Sequence, residues 1–214
     1  MAKEIIDIYN ENLESLGQME RTEAHRRGHW HKSIHCWVVR PADNGYVLFQ
    51  KRGAEKQFFP DLLDITAAGH YSTGERQREG VREIVEELGL QVRFEDLRFL
   101  GVKIDISQNG DLTNREFCDV FLLKEPKPPS EYSLDPTEVE GLVQVAINDG
   151  LRLFSGQASS APAEGIQWQK SSNKWQDINL TVDPREFIPR IDSYYLKIFI
   201  CASGLLHGEK YLSI

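Results

Sequence analysis

Cysteine is scarce: three residues in a chain of 214, with only two methionines beside them. Cys36, Cys118 and Cys201 are odd in number and far apart, each within an apolar run. No disulfide framework is expected from them, only buried free thiols in a reducing compartment. An unbroken apolar stretch long enough to span a bilayer is also missing. The opening residues, MAKEIIDIYNENLESLG, contain no apolar signal-peptide core. The expectation is a soluble cytoplasmic protein with no membrane partner. Positive charge is in deficit, since 25 Lys and Arg against 33 Asp and Glu leave a net charge of -8. That argues against a nucleic-acid backbone as the main partner, though not against a small anion held in a local basic pocket. What remains is ordinary for a globular chain, 40% hydrophobic and 27% charged, and permits a sizeable core.

Alternation of apolar and polar residues predicts strands at Glu4 to Tyr9, Ser33 to Arg40, Gly45 to Lys51, Glu116 to Lys124 and Val139 to Ile147. Pro41 to Gly45 is a hairpin signal, and Phe58-Phe59-Pro60 breaks the chain. Val92 to Ile106 reads as two extended pieces, and Asn148 to Phe154 as a short helix. Ser155 to Gln176, rich in Ser, Ala, Gln and Gly, reads as a long loop or insertion carrying Trp168 and Trp175. Asp183-Pro184 looks like a helix start. From there Ile191, Tyr195, Ile198, Ala202 and Leu205 recur at helical spacing to Gly208, giving a long amphipathic helix that offers a dimer contact. The expected fold class is α+β, a mixed sheet between helices. The expected organisation is one domain with an N-terminal strand and loop extension (about 1–32) and a C-terminal helical extension (about 183–208).

The stretch from Gly69 to Leu90, GHYSTGERQREGVREIVEELGL, is the most informative. At 100° per residue Glu83, Glu86 and Glu87 share one helix face, with Glu79 a turn earlier, while Val81, Ile84, Val85 and Leu88 share the other. Gly89 is a natural stop. Like charges four residues apart repel by roughly 0.2–0.5 kcal/mol per pair, so a positive partner is expected. An oxygen-ligated divalent cation suits such a cluster. A solvated charged surface is the plainer reading of any charge run.

This stretch resembles the Nudix box, Gly-x5-Glu-x7-Arg-Glu-U-x-Glu-Glu-x-Gly-U with U aliphatic. Gly69, Glu75, Arg82, Glu83, Ile84, Glu86, Glu87, Gly89 and Leu90 supply every specified residue. One spacing departs: six residues separate Glu75 from Arg82, where the pattern has seven. The resemblance implies an α/β/α sandwich and a hydrolase of diphosphate linkages dependent on Mg²⁺ or Mn²⁺. It implies that Glu83, Glu86 and Glu87 hold the metal and that Arg82 braces the loop through Glu75; the base is expected to be Glu83 or Glu116, the latter a candidate extra metal ligand or base from its place on a strand able to face the helix.

A branch of that superfamily, the type I isopentenyl-diphosphate isomerases, is resembled more closely. The matching residues are Ala24-His25, His31, Trp37 and Gly69-His70. In that branch two early histidines and the His of a Cys-Gly-His triplet bind a metal with glutamates. The resemblance therefore implies a site at His25, His31 and His70, whose imidazoles favour Zn²⁺ or Mn²⁺ over Mg²⁺. His35 reads as structural. Lys51, Arg52 and Lys56 follow the second strand as the branch's phosphate-binding residues do, and three cations there suit a diphosphate. Two departures weigh against isomerisation: Ala68 stands where the isomerases have their proton-transferring cysteine, and the Thr113-Asn114-Arg115-Glu116 segment offers one carboxylate without the aligned tryptophan. The expectation is a hydrolase of a nucleoside-diphosphate-type or other small-molecule diphosphate. An isomerase and a non-catalytic binding module are the alternatives.

Overall fold

In the computed structural model, residues 4–54, 56 and 59–214 are described; the chain break expected at Phe58 lies partly outside them. Strand β3 (Trp30–Arg40) is the axis of an 11-stranded mixed sheet. Its run of Ile, Cys, Trp and Val suits a strand buried on both faces. One edge of β3 pairs in parallel with β8 (Leu112–Lys124), which carries the antiparallel edge strand β7 (Leu97–Asn109). The other edge of β3 meets three partners in turn: β1 (Ile5–Tyr9), β6 (Ala67–His70) and β4 (Tyr46–Arg52). β1 continues into β2 (Ser15–Glu20), and β4 carries the two-residue β5 (Leu63–Asp64) and β9 (Val139–Ala146).

Helices cover both faces. α2 (Val81–Leu88) packs Ile84 and Leu88 on Cys36, Val38 and Leu48. On the opposite face α3 (Ile147–Phe154) and α4 (Tyr194–Leu206) close a core of Trp37, Phe49, Phe187 and Phe199. A short helix, α1 (Arg21–Arg27), leads into β3. The fold is the expected α/β/α sandwich. All three cysteines are buried and free. Among the described residues no helix is long and apolar enough to cross a membrane.

Four local expectations are corrected. The stretch expected as a loop from Ser155 to Gln176 forms most of a hairpin, β10 (Ala161–Gln169) with β11 (Lys174–Val182), added to the sheet beside β9. Its polar residues alternate along strands with one exposed side, so composition hid the pattern; Trp168 and Trp175 are a cross-strand pair with ring centroids 5.4 Å apart. Val92 to Ile106 holds a turn of 3-10 helix (Phe94–Asp96) and then most of the single 13-residue strand β7, rather than two extended pieces. Asp183 caps only a 3-10 turn, Pro184–Glu186, and the long helix starts at Tyr194, leaving Ile191 outside it and 92% exposed. Glu79 precedes α2, where its side chain accepts from the Arg76 N–H (2.9 Å), so it does not extend the acidic face.

Candidate functional site

β6 ends at His70, and a loop of ten residues returns the chain to α2, whose inner side faces back across β6. Gly89, at φ 65°, ends that helix in the left-handed region. Arg82 organises the turn. Its Nε and Nη2 donate to Glu75 at 3.2 and 3.3 Å, Nη2 lies 2.9 Å from Glu83, and Nη1 donates to Glu86 at 2.8 Å. Glu75 also accepts from the Ser72 N–H at 2.7 Å. The six-residue spacing therefore still delivers Glu75 to Arg82.

Glu83 lies against the backbone of Gly69 so closely that any β-carbon there would overlap its carboxylate. Glu87 accepts from the Ala68 N–H (3.0 Å) and from Gln50 Nε2 (3.3 Å). Burial pushes its carboxyl up to about 8, and burial likewise raises that of Glu83. Glu83, Glu86 and Glu87 all line one cavity of about 640 Å³, each held by its own partners. Arg82 draws Glu83 and Glu86, which is exposed, while Ala68 and Gln50 draw Glu87.

Three histidines cluster beside the same cavity, which His25 and His70 line. The His25 and His31 Nε2 atoms are 3.2 Å apart, and the ligand atoms of His25, His31 and His70 all lie within 4.8 Å of one another. They come from α1, β3 and β6, brought together because Ser33 pairs with His70 and α1 runs directly into β3. Glu116 on β8 stands opposite His31 in register, 3.5 Å from it and 2.9 Å from His70. Burial opposes its charge, yet hydrogen bonds from the two imidazoles hold the carboxyl well below the usual range. Burial, reinforced by His31 and His70, lowers His25 to about 3, so its ring is neutral, the form that binds metals. His31 Nδ1 lies 3.1 Å from the His29 carbonyl, which orients the ring.

A second group, His35, Asp105, Glu116 and Cys118, is equally close. Asp105 is already paired with Lys103 (3.2 Å) and with Arg190, and His35 Nδ1 lies 3.0 Å from the Tyr194 hydroxyl. Two fixed cations at Asp105 disfavour a further dication, and His35 is structural in its contacts.

The cation stretch splits. Arg52 and Lys56 line the cavity, paired with Asp64 (2.8 Å) and Glu138 (3.1 Å). Lys51 does not: alternation along β4 turns it to the other face, its β-carbon near Gly141.

A model described as the NUDIX domain matches residues 29–168. The chain belongs to the Nudix hydrolase family. An uncharacterized Nudix hydrolase of Clostridium acetobutylicum is 31% identical over 196 residues, 91% of this chain and 95% of that protein. An isopentenyl-diphosphate Delta-isomerase of Rhodobacter capsulatus is 31% identical over 172 residues, 79% of this chain and 91% of that one. The crystal structure of DR0079 from Deinococcus radiodurans shares the fold, with a TM-score of 0.55, 24% identity, and coverage of 72% of this chain and 90% of that one.

Around the Nudix box the structure adds residues that the sequence did not single out. Glu4 lies 3.7 Å from His70, and Gln50, Asp64, Asp105, Asn114 and Arg190 also line the cavity. The only sequence signal for any of them is a polar residue on the buried phase of a strand, as at Asp105 and Asn114. Arg190 sits on irregular chain after the 3-10 turn and gave none. Trp168 and Trp175 lie away from the cavity.

Proposed function

We propose that this Nudix protein is a divalent-metal-dependent hydrolase of a diphosphate joined to a second group. We also propose that it is a single Nudix domain with N-terminal (about 1–32) and C-terminal (about 183–208) extensions. The observation that carries the reading is one cavity with acids of α2 on one wall and Arg52 and Lys56 on another. The donor set fits a hard cation: Glu83 rests in the space that Gly69 leaves open, and Glu87 is a buried carboxylate with no cationic side chain bonded to it among the described residues. Glu83, Glu86 and Glu87 would hold Mg²⁺ or Mn²⁺. When bound, the ion supplies positive charge to the phosphate oxygens as negative charge develops on them.

The chain's own groups do the rest. Arg82 fixes Glu75, Glu83 and Glu86 as one unit, which orients the acids before substrate arrives. Arg52 and Lys56 neutralise the diphosphate from the far wall. The proton of the attacking water goes to Glu83 or Glu116, carboxylates that reach the cavity from α2 and β8. His25, His31 and His70, with Glu116, form a nitrogen-rich set suited to Zn²⁺ or Mn²⁺.

The same histidine set, with the likeness to an isomerase, favours isomerisation of isopentenyl diphosphate as a second reading. Against it, Ala68 has no proton to give to an alkene. A panel of diphosphates with Mg²⁺ and Mn²⁺ tests both, read as released phosphate products and as deuterium uptake into isopentenyl diphosphate. Phosphate release abolished by Glu86→Gln supports hydrolysis. Deuterium uptake without release supports the isomerase, and metal binding with neither leaves a binding module.

A further inference from the structure

The loop between His70 and Val81 carries the chain from β6 into α2, and its course decides where Glu75 meets Arg82. Two points of it rest on the central sheet: the Tyr71 N–H donates to the Lys32 carbonyl (3.2 Å), and Gln77 Nε2 donates to Asp119 (2.9 Å). Between them Ser72 to Glu75 form a turn. It is closed by the Glu75 N–H donating to the Ser72 carbonyl (2.9 Å), with Gly74 at φ 79° in its third place. The turn folds Glu75 back, so that its carboxylate accepts from the Ser72 N–H (2.7 Å) and from Arg82.

Strand β1 lies along that turn. Ile6 forms an antiparallel bridge with Ser72, and the Ile5 carbonyl accepts from both the Thr73 N–H and its hydroxyl, each at 3.1 Å. Asp7 Oδ2 accepts from the Gly74 N–H at 2.9 Å. Consecutive residues of β1 thus hold consecutive residues of the turn. β1 is itself fixed: Ile6 and Ile8 are buried with Ala24 of α1, and every residue of the strand pairs with β2. The Asp7 bond is of the stronger kind, a carboxylate accepting from a backbone N–H. Only six residues separate Glu75 from Arg82, so little chain is available to absorb a shift of the turn. Any shift passes to Glu75, and through Arg82 to Glu83 and Glu86.

We propose that β1 splints the box loop and that Asp7 is a positioning residue: it sets the turn that delivers Glu75 to Arg82, and so orients the acids of α2. The proposal rests on the metal-site reading above and deepens it. Asp7 is not among the described residues that line the cavity, so its effect travels through the turn rather than by contact with ion or substrate. It also lies outside the segment matched to the NUDIX domain, residues 29–168. Acids held in place before the ion arrives need no rearrangement, whereas a displacement of about 1 Å can cost on the order of 100-fold in rate.

The test compares the full chain with Asp7→Ala, Asp7→Asn, Glu75→Ala and the Asp7→Ala/Glu75→Ala double variant. The readings are Mn²⁺ affinity by electron paramagnetic resonance, turnover of the diphosphate panel, and amide hydrogen exchange by mass spectrometry. Asp7→Ala should weaken Mn²⁺ binding about tenfold and lower kcat about tenfold, with KM nearly unchanged. Exchange should quicken across residues 72–83 while β9 and α4 keep the parent's rates. Asp7→Asn loses the charge but still offers an oxygen to the Gly74 N–H, and should stay within about threefold of the parent. In the Glu75→Ala background Asp7→Ala should cost less than about twofold more, since both act on one contact. Gln18→Ala, exposed and opposite Asp7 on β2, should change none of these readings. Losses in Asp7→Ala and Glu75→Ala that multiply, an asparagine variant as impaired as the alanine one, or an alanine variant like the parent overturns the proposal and leaves the metal reading intact. Should the parent bind no Mn²⁺, the metal reading falls. The exchange pattern then decides the splint separately, and unchanged rates from residue 72 to 83 in Asp7→Ala refute it.

Discussion

Gly69→Ala isolates the acidic wall from the rest of the fold. Gly69 does not adopt a positive φ, so alanine brings no backbone strain there. Its β-carbon would overlap the Glu83 carboxylate and meets nothing else nearer, and that carboxylate is the movable end of a surface-reaching side chain, 14% exposed. Regaining ordinary contact requires the carboxylate to move by more than about 1 Å, a misplacement that can cost on the order of 100-fold in rate. Stability should hardly change, since the β6 backbone and the core side of α2 are untouched. The expected outcome is a melting temperature within a few degrees of the parent, Mn²⁺ affinity weakened by about tenfold or more, and kcat/KM on a turned-over diphosphate reduced about 100-fold. Mn²⁺ binding followed by electron paramagnetic resonance, beside a steady-state assay, reads both. Unaltered metal affinity with full activity would show that Glu83 has no part in holding the ion.

With its carboxyl at about 8, Glu87 is about nine-tenths protonated at pH 7, so Mg²⁺ binding there should release close to one proton. Calorimetry in buffers of different ionisation enthalpy measures it; affinity should rise with pH up to about 8 and flatten above, and Glu87→Gln should remove the proton release. His35, lowered to about 3 chiefly by burial, stays neutral in the fold while the unfolded chain takes up its proton near 6.5. Its contribution is therefore intact above pH 6.5 and lost as pH falls toward 3, at up to about 1.4 kcal/mol per pH unit. Urea melts of the parent and of His35→Gln between pH 7 and 5 should differ in slope by about one proton, and identical slopes would contradict a buried neutral ring. Tyr194→Phe removes the hydroxyl that accepts from Trp37 Nε1 (2.9 Å) and meets His35 Nδ1 (3.0 Å). Stranding either one costs about 1–3 kcal/mol, a fall in melting temperature of roughly 2–12 °C by calorimetry.

The sequence displays the box helix almost completely, because a packing stripe and an acid stripe with a period of 3.6 are local properties. Strands buried on both faces, β3, β4, β8 and β9, are legible for the same reason. The β10–β11 hairpin is not, since its polar composition imitates a loop until a neighbouring strand supplies the other half of the hydrogen bonds. The convergence of His25, His31 and His70 rests on antiparallel pairing across 37 residues between Ser33 and His70, and only the matched family pattern hinted at it. Arg190 is the extreme case. Its partners Asp64 and Asp105 lie 126 and 85 residues away, and nothing around it marks it as buried.

β7 also shows why stability alone does not explain this chain. Replacing a buried ion pair by well-packed apolar residues is often neutral or favourable by about 1–4 kcal/mol. Exchanging the two faces of β7 would place Val102, Ile104 and Ile106 inward and Lys103 and Asp105 in water, which is the ordinary arrangement. The observed phase therefore sacrifices burial of three β-branched side chains to hold Asp105 against Arg190 and to set Ser107 beside Asn114 on the cavity wall. A one-residue slip of register would reverse every one of these positions. The bulge between Phe99 and Gly101, where Gly101 pairs with Val120 at φ 131°, sets the phase that faces Lys103 and Asp105 inward. The polar pocket is thus fixed by backbone geometry several residues away from it, which no alternation of polarity within β7 would have required.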